Sequence, residues 1–150
     1  MNEAVALARA SMVEESGGPF GAIVVCGDQI VGRGQNQVTR ILDPTAHAEV
    51  MAIRNACQKL GRFDLRGCEI YTSCEPCPMC LSAIYWARLD RIYYACTRGD
   101  AAAIGFDDDF IYRQIPLEID ARSIPMTQLA RENGVGVFHE WEKKADKIPY

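Results

Sequence analysis

Two short packages of metal-ligating side chains constrain this sequence more than any other feature: His47-Ala48-Glu49, and Pro76-Cys77-Pro78-Met79-Cys80 about thirty residues later. If both serve one ion, the fold must bring two segment starts together. Thiols separated by two residues reach one ion from a single helical turn, and a helix N-terminus favours their deprotonated form. One imidazole completes three protein ligands and leaves the fourth tetrahedral position of zinc to water, the pattern of a catalytic rather than a structural site. Zinc lowers the pKa of such a water to about 7, so hydroxide is available at neutral pH. Glu49, two residues beyond His47, is close enough to take that proton without replacing the water, and so to act as a proton shuttle.

Each piece alone has a plainer reading. A carboxylate in a first turn is favourable for the helix dipole whatever else it does, and a lone Cys-x-x-Cys serves redox pairs and structural zinc sites alike. Cys74, Cys77 and Cys80 are evenly spaced, so either adjacent pair can claim the metal; Pro78 and helix phase favour the later one. A zinc-stabilised interaction domain without catalysis would lack the shuttle, and Glu49 is present. A redox protein using Cys77 and Cys80 is disfavoured by the Pro78-Met79 between them.

With 150 residues, 49% hydrophobic and 24% charged, the chain reads as one domain, 1–150, with a core of its own. No apolar run is long enough to span a bilayer, and no basic, apolar secretory start is visible. A cytoplasmic home is the expectation. Seven cysteines, three of them crowded together, suit metal binding in a reducing compartment better than a disulfide framework. Cys26, Cys57, Cys68 and Cys96 are expected as small buried apolar residues. A net charge of −4 argues against a nucleic-acid partner; Lys143, Lys144 and Lys147 are interleaved with Glu140, Glu142 and Asp146. A small, uncharged substrate fits better.

Hydrophobic periodicity predicts a helix from Asn2 to about Ser16, a hairpin of strands from Phe20 to Cys26 and Gln29 to about Asn36 around Gly27-Asp28, and a helix from Ala46 to Leu60 with Val50, Ile53, Ala56 and Leu60 as its apolar stripe. A third strand is expected over Glu69–Ser73, a helix over Pro78–Arg88 with proline at its start, and a fourth strand over Arg91–Cys96. Beyond these, one helical turn is expected within 97–109, an extended piece near Ile111–Pro116, and helices over Met126–Asn133 and Val137–Lys147. The alternation predicts an α/β fold, a three-layer α/β/α sandwich around a mixed sheet of about five strands.

His-x-Glu followed by Pro-Cys-x-x-Cys is the signature of zinc deaminases acting on nucleobases. Further stretches widen the resemblance: Gly-Gly-Pro-Phe-Gly-Ala at 17–22, Gly-Gln-Asn at 34–36, Asp-Pro-Thr-Ala-His-Ala-Glu-Val at 43–50, Tyr-Thr-Ser-Cys-Glu-Pro-Cys-Pro-Met-Cys at 71–80, Ala-Ile-Tyr-Trp-Ala-Arg at 83–88 and Gly-Phe-Asp-Asp at 105–108. Over nearly its full length the chain resembles the cytidine deaminase-like superfamily and, within it, the guanine deaminases; Gly-Phe-Asp-Asp and the terminal Tyr150 carry the narrower likeness. The resemblance implies a cytidine deaminase-like fold, one zinc per subunit on His47, Cys77 and Cys80, and hydrolysis of guanine to xanthine and ammonia with Glu49 as shuttle. It implies Asp108 at the amino group, Asn36 hydrogen-bonded to the purine, and Phe20, Trp86 and Ala48 at the base. It also implies a homodimer in which the segment from about residue 110 is exchanged and Tyr150 closes the partner's pocket. Plainer roles stand beside these: Asn36 as a turn cap, Phe20 and Trp86 as core, Asp107 to Asp109 as a solvated loop, Tyr150 as a frayed tail. The stretch from about Arg113 to Gly136 departs from the family pattern. Other substrates open to the same chemistry are cytosine, a guanosine-like nucleoside, an aminated triazine and adenosine in transfer RNA. Low basicity opposes the last and Gly-Phe-Asp-Asp opposes cytosine.

Overall fold

Glycines and alanines, rather than bulky residues, set the spacing between the sheet and its helices. The computed structural model describes residues 1–106 and 108–150; Asp107, the third member of Gly-Phe-Asp-Asp, lies outside them. Strands β1 (Gly21–Cys26) and β2 (Gln29–Gln35) form the expected hairpin. Its turn passes through Gly27 at φ +58, a left-handed conformation that glycine adopts without a Cβ penalty. β3 (Cys68–Cys74) pairs antiparallel with β1, and β4 (Arg91–Cys96) pairs parallel with β3. The sheet order is β2-β1-β3-β4. Among the described residues the sheet has four strands, not about five.

Alternation along each strand separates the two faces. Ala22 and Val24 of β1 stand opposite Gly34 and Gly32 of β2, and Thr72 and Ile70 of β3 continue the row. Helix α3 (Ala48–Leu60) lies on this face, burying Ala48, Ala52 and Ala56 completely. The bulkier Val50, Ile53 and Leu60 of the expected stripe are only half-buried. The correction has a steric cause: a Cβ on Gly32 or Gly34 would stand 2.2 or 2.1 Å from the carbonyl oxygen of Ala52 or Ala48, so only a small-residue face comes this close. Helix α4 (Pro78–Trp86) joins the same side, sending Ile84 into the core with Val24, Leu65, Cys68 and Ile70. Helix α1 (Asn2–Val13) covers the other face at Gly21, where its Ala4, Leu7 and Ala8 pack. The layers are therefore helix, mixed sheet, helix.

Smaller departures from expectation have local causes. Val38–Ile41 closes one further turn, α2, between β2 and α3. Thr97 and Asp100 form a reciprocal capping box that starts α5 (Arg98–Ala103). Asp109–Gln114 is a helix, α6, where an extended segment was expected; its alternation is too short to separate the two periods. A single helix, α7 (Arg131–Lys143), replaces the two expected over 126–147, and Met126–Ala130 is irregular. The chain divides into two compact units, Met1–Phe110 and Ile111–Tyr150. The second holds α7, on which Val137, Phe138 and Trp141 are exposed, and a turn in which Arg122 donates to the carbonyls of Ile115 and Leu117. The cysteines also differ from expectation: Cys26 and Cys68, directly opposite on β1 and β3, form a disulfide, Cys57 is half-buried and Cys96 exposed.

Candidate metal centre and active site

His47 and Cys77 occupy equivalent places, each the extended N-cap residue of a helix on the same face of the sheet: φ −69, ψ 154 before α3 and φ −63, ψ 168 before α4. Asp43 prepares the first, its carboxylate accepting from the Thr45 N–H at 2.8 Å and hydroxyl at 2.7 Å, an Asx turn that steers the chain into α3. Pro78 prepares the second by fixing φ at the first helical position. Cys80 follows one turn later, fully buried.

His47 Nδ1 lies 3.6 Å from Cys77 Sγ and 3.5 Å from Cys80 Sγ, and the three ligand atoms all fall within 4.8 Å of one another. Zinc–nitrogen and zinc–sulfur bonds of ordinary length meeting at the tetrahedral angle place nitrogen and sulfur about 3.6 Å apart. The donors therefore already span the edges of a zinc tetrahedron, and their chemistry suits that ion. Cys74 stands apart from the group: its Sγ donates to the Thr97 carbonyl at 3.5 Å, and burial pushes its thiol up to about 11. Cys77 and Cys80, and not Cys74, are the sulfurs grouped with His47.

The electrostatics agree. The close approach of Cys80, with help from His47, holds the Cys77 thiol down at about 4, while proximity to Cys77 and burial push Cys80 strongly upward. A divalent ion bound by both sulfurs would displace the proton that Cys80 keeps. The hydrogen bond with Cys77 raises His47. Glu49, in the first turn of α3 and nearly inaccessible, has its carboxyl pushed up by burial, and its Oε2 accepts from Cys80 Sγ at 3.4 Å. A carboxylate so placed flanks the ligand set without belonging to it.

Asn36, buried at the end of β2, accepts at Oδ1 from the Val38 N–H at 3.1 Å. The turn-capping role is thus real, and it leaves the amide NH2 as the group that can face a ligand. Asp108, half-buried before α6, has its carboxyl raised by burial, with Cys77 and Glu75 adding repulsion and Arg98 opposing. Phe20 is half-buried against the core cluster, its ring 4.9 Å from that of Phe106 in an edge-to-face pair. Trp86, by contrast, is 66% exposed at the end of α4 beside Ser82 and Tyr85, so it is not core. Ala48 has its side chain in the core, leaving only its backbone for contact with a ligand. Tyr150 belongs to the second unit and is exposed. Sequence reasoning missed Phe106; its place in Gly-Phe-Asp-Asp was the available signal.

The paired helix starts, the nitrogen–sulfur triangle and the adjacent buried carboxylate define a zinc deaminase site, and residues 1–96 match the family described as the cytidine and deoxycytidylate deaminase zinc-binding region. The chain belongs to that family. Among its relatives is the guanine deaminase of Bacillus subtilis, 49% identical over 150 residues, covering 100% of this chain and 96% of that one. The crystal structure of guanine deaminase from Bacillus subtilis superposes with a TM-score of 0.96 at 49% identity, over 99% of this chain and 95% of that one. A tRNA-specific adenosine deaminase of Aquifex aeolicus is 41% identical over 92 residues, 61% of each chain. No helix among the described residues is long and apolar enough to cross a membrane.

Proposed function

We propose that this chain hydrolyses guanine to xanthine and ammonia. The observation that carries the substrate is the extent of the likeness: similarity to a guanine deaminase runs through all 150 residues, whereas similarity to the transfer-RNA enzyme covers 61% of the chain. The net charge of −4 also disfavours a nucleic-acid substrate.

His47, Cys77 and Cys80 would hold one zinc per subunit. When bound, zinc acidifies a coordinated water to a pKa of about 7 and so supplies the nucleophile. Glu49, whose buried carboxyl titrates above the usual range, accepts a proton and delivers it to the ring and then to the departing amine. Asn36 offers its amide NH2 to an acceptor on the purine edge. Asp108 contacts the amino group being lost and assists its protonation. Phe20 and Trp86 line or stack on the base, and Ala48 contributes through its backbone. The sum is guanine plus water giving xanthine plus ammonia, with no redox change.

We further infer a single cytoplasmic deaminase domain that works as a homodimer, with the segment from about residue 110 exchanged so that Tyr150 closes the partner's pocket. The division of the chain at Phe110 and Ile111, and the exposed Phe138 and Trp141 on α7, support that reading. The decisive experiment offers the zinc-loaded protein guanine, guanosine, cytosine and adenine separately and measures ammonia. Guanine alone should release it; release from cytosine alone would overturn the substrate while sparing the chemistry.

A further inference from the structure

We propose that Phe106 is a positioning residue for the acidic loop: its ring, packed edge to face on Phe20 above Gly18, fixes where Asp108 stands beside the metal ligands. The inference rests on the reading that Asp108 contacts the base.

The two rings meet at 4.9 Å between centroids with planes at 88°, within the favoured range of edge-to-face pairs. Gly18 is their floor. A Cβ there would stand 2.8 Å from Phe106 Cζ, 2.9 Å from Phe106 Cε1 and 2.9 Å from Phe20 Cε2, so the bare backbone is what lets both rings sit down. That floor is held from below. The Gly18 carbonyl accepts from the Phe20 N–H at 2.8 Å and from the Ser11 hydroxyl at 2.9 Å, and Ser11 Oγ also lies 2.8 Å from the Asn36 carbonyl oxygen. The aromatic pair is thereby tied to the same backbone that carries Asn36.

Phe106 is anchored from its own side as well. Its N–H donates to the Ala101 carbonyl at 3.0 Å, closing the turn through Gly105 at φ +93. The start of α5 is fixed by the Thr97–Asp100 box and by the Arg98 N–H donating to Glu75 at 3.1 Å. Two residues of chain reach about 7 Å at most, so the seat of Phe106 bounds where Asp108 can stand. Phe106 remains 43% exposed, which gives it a small share of the core.

The test measures zinc content, thermal stability and guanine turnover in Phe106→Leu, Phe106→Tyr, Gly18→Ala, Asp108→Asn and the double variant Phe106→Leu/Asp108→Asn. Phe106→Leu should keep its zinc, raise KM for guanine and lower kcat/KM about 3- to 10-fold, the worth of one edge-to-face pair. Phe106→Tyr, which restores the ring, should recover, and Gly18→Ala should resemble Phe106→Leu. On the Asp108→Asn background Phe106→Leu should cost nothing more, because the group it positions is gone. An equal loss on that background, or a wild-type-like Phe106→Leu beside an impaired Asp108→Asn, overturns the latch alone. Asp108→Asn turning over like the wild type overturns the latch and the reading of Asp108 together.

Discussion

Gly34→Ala should disable the metal site from the opposite side of a helix. A Cβ on Gly34 would stand 2.1 Å from the Ala48 carbonyl oxygen, 2.4 Å from the Ala52 nitrogen and 3.0 Å from Met51 Cβ. The tightest of these is short of a tolerable contact by about 0.9 Å, and a close-packed interior has little slack to absorb it. β2 is held to β1 along its length, and displacement of the first turn of α3 moves His47 on one side of Ala48 and Glu49 on the other. Metal–ligand distances tolerate about 0.2 Å, and a misplacement near 1 Å at a reacting group costs roughly 100-fold in rate. We expect Gly34→Ala to lose most of its zinc and about two orders of magnitude in turnover, with about 1–3 kcal/mol of stability lost to overpacking. Gly32→Ala is the matched comparator: its Cβ would stand 2.2 Å from the Ala52 carbonyl oxygen, one turn further along. It should lose similar stability and far less activity. Gly134, in α7, would place a Cβ with nothing within 4 Å, so Gly134→Ala should gain about 0.5–1 kcal/mol. Elemental analysis, ammonia release and thermal melts read all three. A Gly34→Ala protein that keeps one zinc and wild-type turnover while losing stability would refute the reasoning.

Glu49→Gln should retain zinc and lose about 10²- to 10⁴-fold in kcat, the usual share of a proton-transfer group; parallel loss of metal would make Glu49 structural instead. Cys77→Ser should lose zinc and Cys74→Ser keep it, and the reverse pattern would reassign the ligand pair. The Thr97 hydroxyl and N–H hold the Asp100 carboxyl below its usual 3.8, so the cap contributes stability above that pH and loses it as pH falls through the lowered folded value. Thr97→Ala should therefore melt earlier than the wild type near pH 6, and the gap should close in acid. Removing the last three residues should cut turnover and leave zinc bound; unchanged turnover would dispose of Tyr150 as a lid.

What the sequence disclosed and what it hid divide along physical lines. The metal site was legible because each half is local: His47 and Glu49 belong to one helix start, Cys77 and Cys80 to another, and tetrahedral zinc admits few other ways to join them. Strands β1 to β4 were legible because their apolar residues are flanked by turn chemistry such as Gly27-Asp28. The region after Cys96 was harder, because α7 has no buried residue and its apolar positions therefore mark no face packed on the core. The Cys26–Cys68 disulfide and the Phe20–Phe106 pair depend on strand register and on a loop returning to the chain's beginning, neither of which spacing encodes.

The reading of α3 is the most informative, because of its stripe Val50, Ile53, Ala56 and Leu60 only Ala56 is fully buried. The face that touches the sheet is Ala48, Ala52 and Ala56 against Gly32 and Gly34. Bulk measures how much apolar surface a residue can hide, but proximity of two backbones is set by what is missing from both. A zinc site assembled from two helix starts needs those starts close to each other and to one sheet. The glycines of β2 and the alanines of α3 are thus part of the catalytic design as surely as the ligands, although none of their side chains can reach the metal.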